Sequence, residues 1–246
     1  MGRGLVAAVA AGILGWSGIV IAGNQKERPT HPAAQAALRY FESVRDRGFE
    51  ALLRELRPPA PPAASRALIL ENLPIEGGVS PTDREARKLS SLRPLLRWHN
   101  REDSIEVRLF TYGGGAFTGL YDRTVLLISR ETLGPLNTDE LVAIVAHELG
   151  HDYVSDEYEQ ATQQGNDHRL QELELRCDGI AVIAMARLGF NPERLVSSLT
   201  KLSRHNARVG TSNGVNEARY VPLEQRARFI RAMITLTASS PGSTPR

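Results

Sequence analysis

Apolar residues after position 31 recur at the spacing of a helix. Between residues 32 and 57 they stand three or four positions apart, which predicts a helical segment, and Gly48 divides this segment in two. The proline-rich run at 58–62 cannot continue a helix, because proline lacks a backbone N–H, and it predicts a stiff extended linker. A further helix is predicted over residues 81–92, and Pro94 should bend or end it.

The middle of the chain changes to the pattern of strands. Residues 105–110 alternate apolar with charged side chains, which is typical of a half-exposed strand, and the glycines at 113–115 break it. Residues 124–129 are more apolar and predict a second, more buried strand. The two strands together predict a small antiparallel sheet.

The last part of the chain is predicted to be helical. Asn137, followed three residues later by Glu140, is a capping-box pattern that opens a helix to about residue 154. The remaining helices are predicted at 168–188 before Gly189, from 191–192 to about 203, and at 223–236. The whole pattern predicts an α+β fold that is mainly helical, with a small antiparallel sheet beside the helix that begins after Asn137.

Composition and charge exclude several classes of protein. Of the 246 residues, 41% are hydrophobic and 24% are charged, which is ordinary for a folded domain. The net charge of +2 comes without a basic stripe interleaved with aromatic residues, so nucleic acid is not an expected partner. Cys177 is the single cysteine, which excludes an internal disulfide and a cysteine-based zinc finger.

The candidate chemistry lies in the helix that begins after Asn137. His147 and His151 are four residues apart, so on a helix both imidazoles face one side and can reach one metal ion. Neutral imidazole suits zinc. Glu148 is one position round the helix, where it can flank the metal and take a proton from water instead of ligating. His31, His99 and His168 have no partner at ligand spacing and are interpreted as structural or surface residues.

A catalytic zinc needs a third protein ligand, and the next helix offers carboxylates. Glu174 and Asp178 are four residues apart and share a helix face, so one can ligate while the other accepts the N–H of a metal-bound histidine. Glu172 should face elsewhere. The apolar residues of this helix indicate that it is mostly buried, and buried acids need partners.

These motifs resemble those of the gluzincin metallopeptidases grouped with the CAAX prenyl endopeptidase, the bacterial heat-shock membrane protease and the periplasmic proteases that monitor outer-membrane assembly. The resemblance runs from about residue 107 to 226. It includes His-Glu-x-x-His at 147–151, Glu-x-x-x-Asp at 174–178 with Gly179 after it, and the Gly-x-x-Pro step at 189–192. It implies a zincin-like fold, one Zn²⁺ per chain, Glu174 as the third ligand and Asp178 as the group that orients a ligand.

The chain departs from the family pattern at two positions. Cys177 stands where the family has alanine, and we interpret it as a packing residue. Val221 stands where the family has a histidine before proline, so a different group must stabilise the oxyanion. The candidates are His205, Tyr220 and Arg226. The resemblance also implies that the segment 113–129 provides an edge strand to which a peptide substrate can add through backbone hydrogen bonds.

The N-terminus and the motifs together define the expected organisation. Residues 5–22 are uncharged and follow Arg3, which predicts a secretory signal or a membrane anchor within residues 1–23 and an extracytoplasmic catalytic part. The division is then 24–62 for an N-terminal helical segment and linker, 63–238 for a zinc metallopeptidase domain, and 239–246 for a disordered tail.

The expected function is zinc-dependent endopeptidase activity on protein or peptide substrates outside the cytoplasm, with unfolded or misassembled proteins as the substrate class. Two alternatives remain open from the sequence. The first is a metal-binding module without catalysis, such as a chaperone or adaptor. The second is a zinc hydrolase of cell-wall amide bonds.

Overall fold

A computed structural model describes residues 28–73, 78–211 and 220–239. The helices within these residues are α1 (Pro32–Val44), α2 (Phe49–Leu56), α3 (Ala63–Glu71), α4 (Asp83–Ser90), α5 (Arg93–Trp98), α6 (Arg130–Leu133), α7 (Thr138–Gln163), α8 (Asp167–Arg187), α9 (Glu193–Val209) and α10 (Leu223–Ala238). The strands are β1 (Glu106–Phe110), β2 (Thr118–Tyr121) and β3 (Val125–Ser129). The predicted signal or anchor and residues 240–246 of the predicted tail lie outside the described residues. None of the described helices has both the length and the apolar character needed to span a bilayer.

The N-terminal helices pack into the same hydrophobic core as the later ones. Gly48 has a φ of +78° and separates α1 from α2, as predicted, after a short 3₁₀ turn at Arg45–Arg47. Phe41 on α1 and Leu53 on α2 are almost completely buried in the main core. This part of the chain is therefore built into the main hydrophobic core.

The proline-rich run and Pro94 interrupt the helices, but not entirely as the sequence predicts. Residues 58–62 are not helical, as expected, but α3 follows directly and was not predicted. Pro94 does not bend the predicted helix: α4 ends at Ser90, and Pro94 lies in the first turn of α5. A first-turn proline is tolerated because the N–H that it lacks would have no partner inside the helix.

The sheet is mixed, so the predicted antiparallel pairing of the two strands is wrong. The strand order is β1-β3-β2, and β1 runs parallel to β3, with Glu106 opposite Val125. The short strand β2 reverses the chain between them and pairs antiparallel with β3, with Thr118 opposite Ile128. Because β2 supplies the reversal, β3 returns in the direction of β1.

Helices α7 and α8 form an antiparallel hairpin that extends further than the sequence predicts. The predicted capping box at Asn137 is present, but α7 continues past residue 154 to Gln163. The added turns bury Tyr158 and Ala161 against α8 in a small second core. Packing against α8 stabilises these added turns, which the hydrophobic periodicity of the sequence did not predict. Similarly, α9 passes the predicted end near residue 203 and stops before Gly210, which has a φ of +70°.

Two glycines let the helices approach closely around the hairpin. A Cβ atom added at Gly150 on α7 would lie 2.7 Å from Cys177 Cα and 3.0 Å from its carbonyl oxygen on α8. A Cβ atom at Gly179 would lie 2.3 Å from the ring of Phe41 on α1. Cys177 is fully buried at this crossing, in agreement with a packing role.

We expect Gly150→Ala to destabilise the fold by about 1–3 kcal/mol, because the added methyl group meets helix backbone that cannot move aside without separating α7 from α8. Gly134→Ala is the matched control: its φ is −61° and its nearest contact would be 3.8 Å away. Denaturant unfolding of both variants checks the prediction. Equal stability of the two variants would contradict it.

A buried ion cluster links the proline-rich run to Asp152 on α7. Asp152 accepts hydrogen bonds from Arg101 Nε at 2.7 Å and from Arg123 Nε at 2.5 Å. The same arginines donate to the carbonyl oxygens of Pro58 and Pro59, at 2.5 and 2.7 Å. Only 2% of each of the Asp152 and Arg101 side chains is exposed. The run is thus tied to the residue that follows His151.

Candidate metal centre

The structure brings the three predicted ligands together. His147 and His151 stand one turn apart on α7, and Glu174 faces them from α8. One ligand atom from each side chain lies within 4.8 Å of the other two. The two imidazole rings are perpendicular, with centroids 5.1 Å apart. Glu174 Oε2 is 3.5 Å from His147 Nε2, and Glu174 Oε1 is 3.7 Å from His151 Nε2.

Two buried atoms at the centre of this group fit a metal ion. Among the described residues, neither His151 Nε2 nor Glu174 Oε2 has a hydrogen-bond partner. An unpaired buried polar atom costs about 1–3 kcal/mol, and a cation between the two atoms would satisfy both. Burial lowers the pKa of His151 to about 4, so its ring is neutral at pH 7 and offers a lone pair. Two imidazoles and a carboxylate form a known catalytic zinc set.

Asp178 orients the ring of His147. Its Oδ1 accepts a hydrogen bond from His147 Nδ1 at 2.9 Å, which leaves Nε2 directed at Glu174. Burial lowers the pKa of His147 and Arg226 lowers it further, but the hydrogen bond to Asp178 and the nearby carboxylate of Glu174 outweigh both and raise it to about 9. A metal ion that bound here at neutral pH would therefore displace a proton from His147.

Arg226 on α10 holds Asp178 in turn. Its Nε and Nη2 donate to the two carboxylate oxygens of Asp178 at 2.5 and 2.8 Å, and its Nη2 lies 3.2 Å from His147 Nδ1. Burial raises the pKa of Asp178, but Arg226 and His147 lower it overall and keep the carboxylate ionised. Arg226, one of the candidate oxyanion donors, thus binds Asp178, the residue that orients the ligand His147.

Glu148 lies beside the ligands and is tied to the sheet. Only 1% of the residue is exposed, and its Oε1 accepts a hydrogen bond from Thr118 Oγ1 of β2 at 3.0 Å. Burial raises the pKa of Glu148 to about 7, against the opposing effects of His147 and Thr118. A carboxyl group with such a pKa can take up and return a proton near neutral pH.

Tyr158 contacts two of the ligands from the extension of α7. Its hydroxyl group donates to Glu174 Oε1 at 3.1 Å. Its ring lies 5.4 Å from the ring of His151, nearly perpendicular to it. Burial and the charge of Glu174 raise the pKa of Tyr158 far above its usual range, so the hydroxyl group keeps its proton.

The other two candidate oxyanion donors lie in different surroundings. His205 Nε2 is 2.9 Å from the carbonyl oxygen of Gly114, so its hydrogen bond is to the glycine-rich loop. Tyr220 precedes α10 and interacts electrostatically with Arg226 and Tyr158. The oxyanion role of all three residues stays a prediction.

The remaining polar residues named from the sequence stand apart from the ligands. His99 is buried and its Nδ1 is 2.9 Å from the hydroxyl group of Tyr153, which makes it structural. Glu172 pairs with Arg169 and Arg176 on its own helix and faces away from the centre, as predicted.

The C-terminal part of α9 fixes the loop that enters β2. The side-chain amide of Asn206 accepts from Ala116 N at 2.7 Å and donates to Ala116 O at 3.0 Å. Thr118 follows two residues later, so this contact helps to fix the strand that carries the partner of Glu148. Within the described part of the sheet β2 is an edge strand next to α7, in agreement with the expectation from the resemblance.

A helix that supplies two imidazoles and a neighbouring glutamate, with a third carboxylate from the next helix, defines the gluzincin class of metallopeptidases. Residues 114–206 match the family model of peptidase family M48. This match supports the resemblance found in the sequence and indicates a zinc metalloprotease, a hydrolase of proteins or peptides. No curated protein matches the chain in sequence. The matched segment contains the three ligands and Glu148, whereas Arg226 lies beyond it.

Sequence reasoning did not find Thr118, Tyr158 or Asn206. Each is a single polar residue that stands at no characteristic spacing from the motif. The one available signal was at Tyr158, because its hydroxyl group on a buried helix requires a partner. That signal depends on knowing that α7 continues past residue 154.

Proposed function

We propose that His147, His151 and Glu174 hold one zinc ion and that Glu148 is the general base of an endopeptidase. The observation that carries this proposal is that His151 Nε2 and Glu174 Oε2 are buried without a hydrogen-bond partner among the described residues, with the Glu148 carboxyl group beside them. Of the two alternative functions, a non-catalytic metal-binding module would show no turnover, and a cell-wall amidase would cleave a different substrate.

The chain's own residues divide the work of hydrolysis. When bound, zinc would polarise the scissile carbonyl group and make water a stronger acid. Glu148 takes a proton from the attacking water and passes it to the leaving amine nitrogen as the C–N bond breaks. Thr118 holds the Glu148 carboxyl group in place, and Asp178 with Arg226 holds His147 in one tautomer.

Tyr220 is our candidate for the oxyanion donor. Tyr220 interacts electrostatically with Arg226 and Tyr158, and these two side chains contact the ligands His147 and Glu174, which supports Tyr220 in this role. We expect Tyr220→Phe to lower kcat about tenfold or more while KM changes little, because the donor acts in the transition state. An unchanged kcat would remove Tyr220 from this role.

Extracytoplasmic unfolded or misassembled proteins are the proposed substrates. The uncharged residues 5–22 after Arg3 support export or attachment to a membrane. Strand addition along β2 would use backbone hydrogen bonds, which favours extended, unfolded chains over particular side chains. Cell fractionation of the tagged full chain, followed by N-terminal sequencing, tests the location. Recovery of unprocessed protein in the soluble cytoplasmic fraction would contradict it.

The test of the function uses the purified full chain. We expect one zinc ion per chain, internal cleavage of unfolded casein, loss of that cleavage with a chelator, and no release of peptides from purified cell wall. Release from cell wall alone would favour the amidase alternative. Stoichiometric zinc without cleavage of either substrate would favour the non-catalytic module.

A further inference from the structure

Tyr158 lies in the part of α7 beyond residue 154 and contacts two of the proposed metal ligands. Tyr158 follows His151 by seven residues, which is two helical turns, so it shares the face that carries the ligands. Its hydroxyl group donates to Glu174 Oε1 at 3.1 Å, while its ring packs edge-on against His151.

The two carboxylate oxygens of Glu174 are in different situations as a result. Oε1 has the Tyr158 hydroxyl group as its donor. Oε2 is buried without a hydrogen-bond partner in the part of the chain that the structure describes, and it is the oxygen that lies 3.5 Å from His147 Nε2. A metal ion between the imidazoles would thus compete with no hydrogen bond at Oε2, whereas Oε1 already accepts one from Tyr158.

Packing alone does not require this hydroxyl group. Tyr158 is 94% buried in the small core that also contains Val154, Leu170 and Leu173. Phenylalanine would supply the same ring contacts without a polar group. Burying a hydroxyl group is unfavourable unless it finds a partner, and Glu174 is the partner here.

We propose that Tyr158 is a positioning residue for the metal ligand Glu174. By holding Oε1, it directs Oε2 alone to the zinc, so that Glu174 binds through one oxygen and a coordination position stays open for water and substrate. This inference rests on the zinc site proposed above.

Tyr158→Phe tests the inference through zinc affinity, measured by competition with a chromophoric chelator. We expect the dissociation constant to rise about 10- to 100-fold, because the ligand loses the group that orients it. Tyr153→Phe is the matched control: it removes another hydroxyl group from α7, one that is hydrogen-bonded to His99, which is not a ligand. An equal change in both variants, or none in Tyr158→Phe, would overturn the inference.

A double-variant comparison separates positioning from a general structural effect. In a Glu174→Ala background the hydroxyl group has no carboxylate to orient, so adding Tyr158→Phe should leave the already weakened zinc affinity unchanged. A further loss of similar size in that background would mean that Tyr158 acts through the packing of α7. If the unaltered protein bound no zinc at all, the proposed metal site itself would fail.

A crystal structure of the zinc-loaded, unaltered protein tests the inference without any substitution. We expect Glu174 Oε1 within hydrogen-bond distance of the Tyr158 hydroxyl group and Oε2 on the zinc. Two-oxygen coordination by Glu174, or a Tyr158 side chain turned away from it, would contradict the proposal.

Discussion

Replacing Glu148 with glutamine should lower kcat by about 10²- to 10⁴-fold while the protein still binds one zinc ion. The amide keeps the size of the carboxyl group and can still interact with Thr118, but it cannot take a proton from water. The three proposed ligands are unaltered, so the metal content should not change. The measurement is the initial rate of casein cleavage together with the zinc content of the same preparation.

Glu172→Gln is the control for that experiment. It makes the same chemical change on the neighbouring helix, at a carboxylate that pairs with Arg169 and Arg176 and not with the metal centre. Its activity should stay near that of the unaltered protein. Glu148→Gln with activity within tenfold of the unaltered protein would reject Glu148 as the general base.

Asp152→Ala should cost about 3–5 kcal/mol of unfolding free energy, because it leaves the buried guanidinium group of Arg101 without its counter-charge. This loss of unfolding free energy includes the hydrogen bond from Arg123 to Asp152. The same carboxylate orients Arg123 toward the carbonyl oxygen of Pro59. Chemical denaturation of the zinc-free protein measures it. We expect little dependence on salt, since a buried pair is poorly screened.

The exposed pair of Arg47 and Glu55 provides the comparison. Glu55→Gln should change the unfolding free energy by less than about 1 kcal/mol, because solvent screens surface ion pairs. If Asp152→Ala were no more destabilising than Glu55→Gln, the buried cluster would have no structural importance.

Much of the centre could be predicted because its geometry is encoded locally. A spacing of four residues on a helix places His147 and His151 on one face in any protein, and the same rule pairs Glu174 with Asp178. The capping box at Asn137 predicted the start of α7 and the glycine at 189 predicted the end of α8, and both are found there.

The features that escaped prediction depend on contacts between distant parts of the chain. The parallel pairing of β1 with β3 follows from β2, which is too short to stand out in the hydrophobic pattern. Arg101 has the charge of a surface residue, and only its pairing with Asp152, 51 residues away, permits its burial. Likewise, no local rule relates Arg226 to Asp178.

The ion cluster that binds the proline-rich run limits how far the chain can be shortened from its N-terminal side. The carbonyl oxygens of Pro58 and Pro59 are the acceptors for two arginines anchored on the metal helix, and α1 fills the space that Gly179 leaves open on α8. A truncated protein that began after this run would lose the part of the hydrophobic core that α1 and α2 supply. It would also leave the guanidinium groups of Arg101 and Arg123 without the carbonyl oxygens that they bind. We therefore expect a stable protein to need the chain from the start of α1, although the division predicted from the sequence begins the peptidase domain at residue 63.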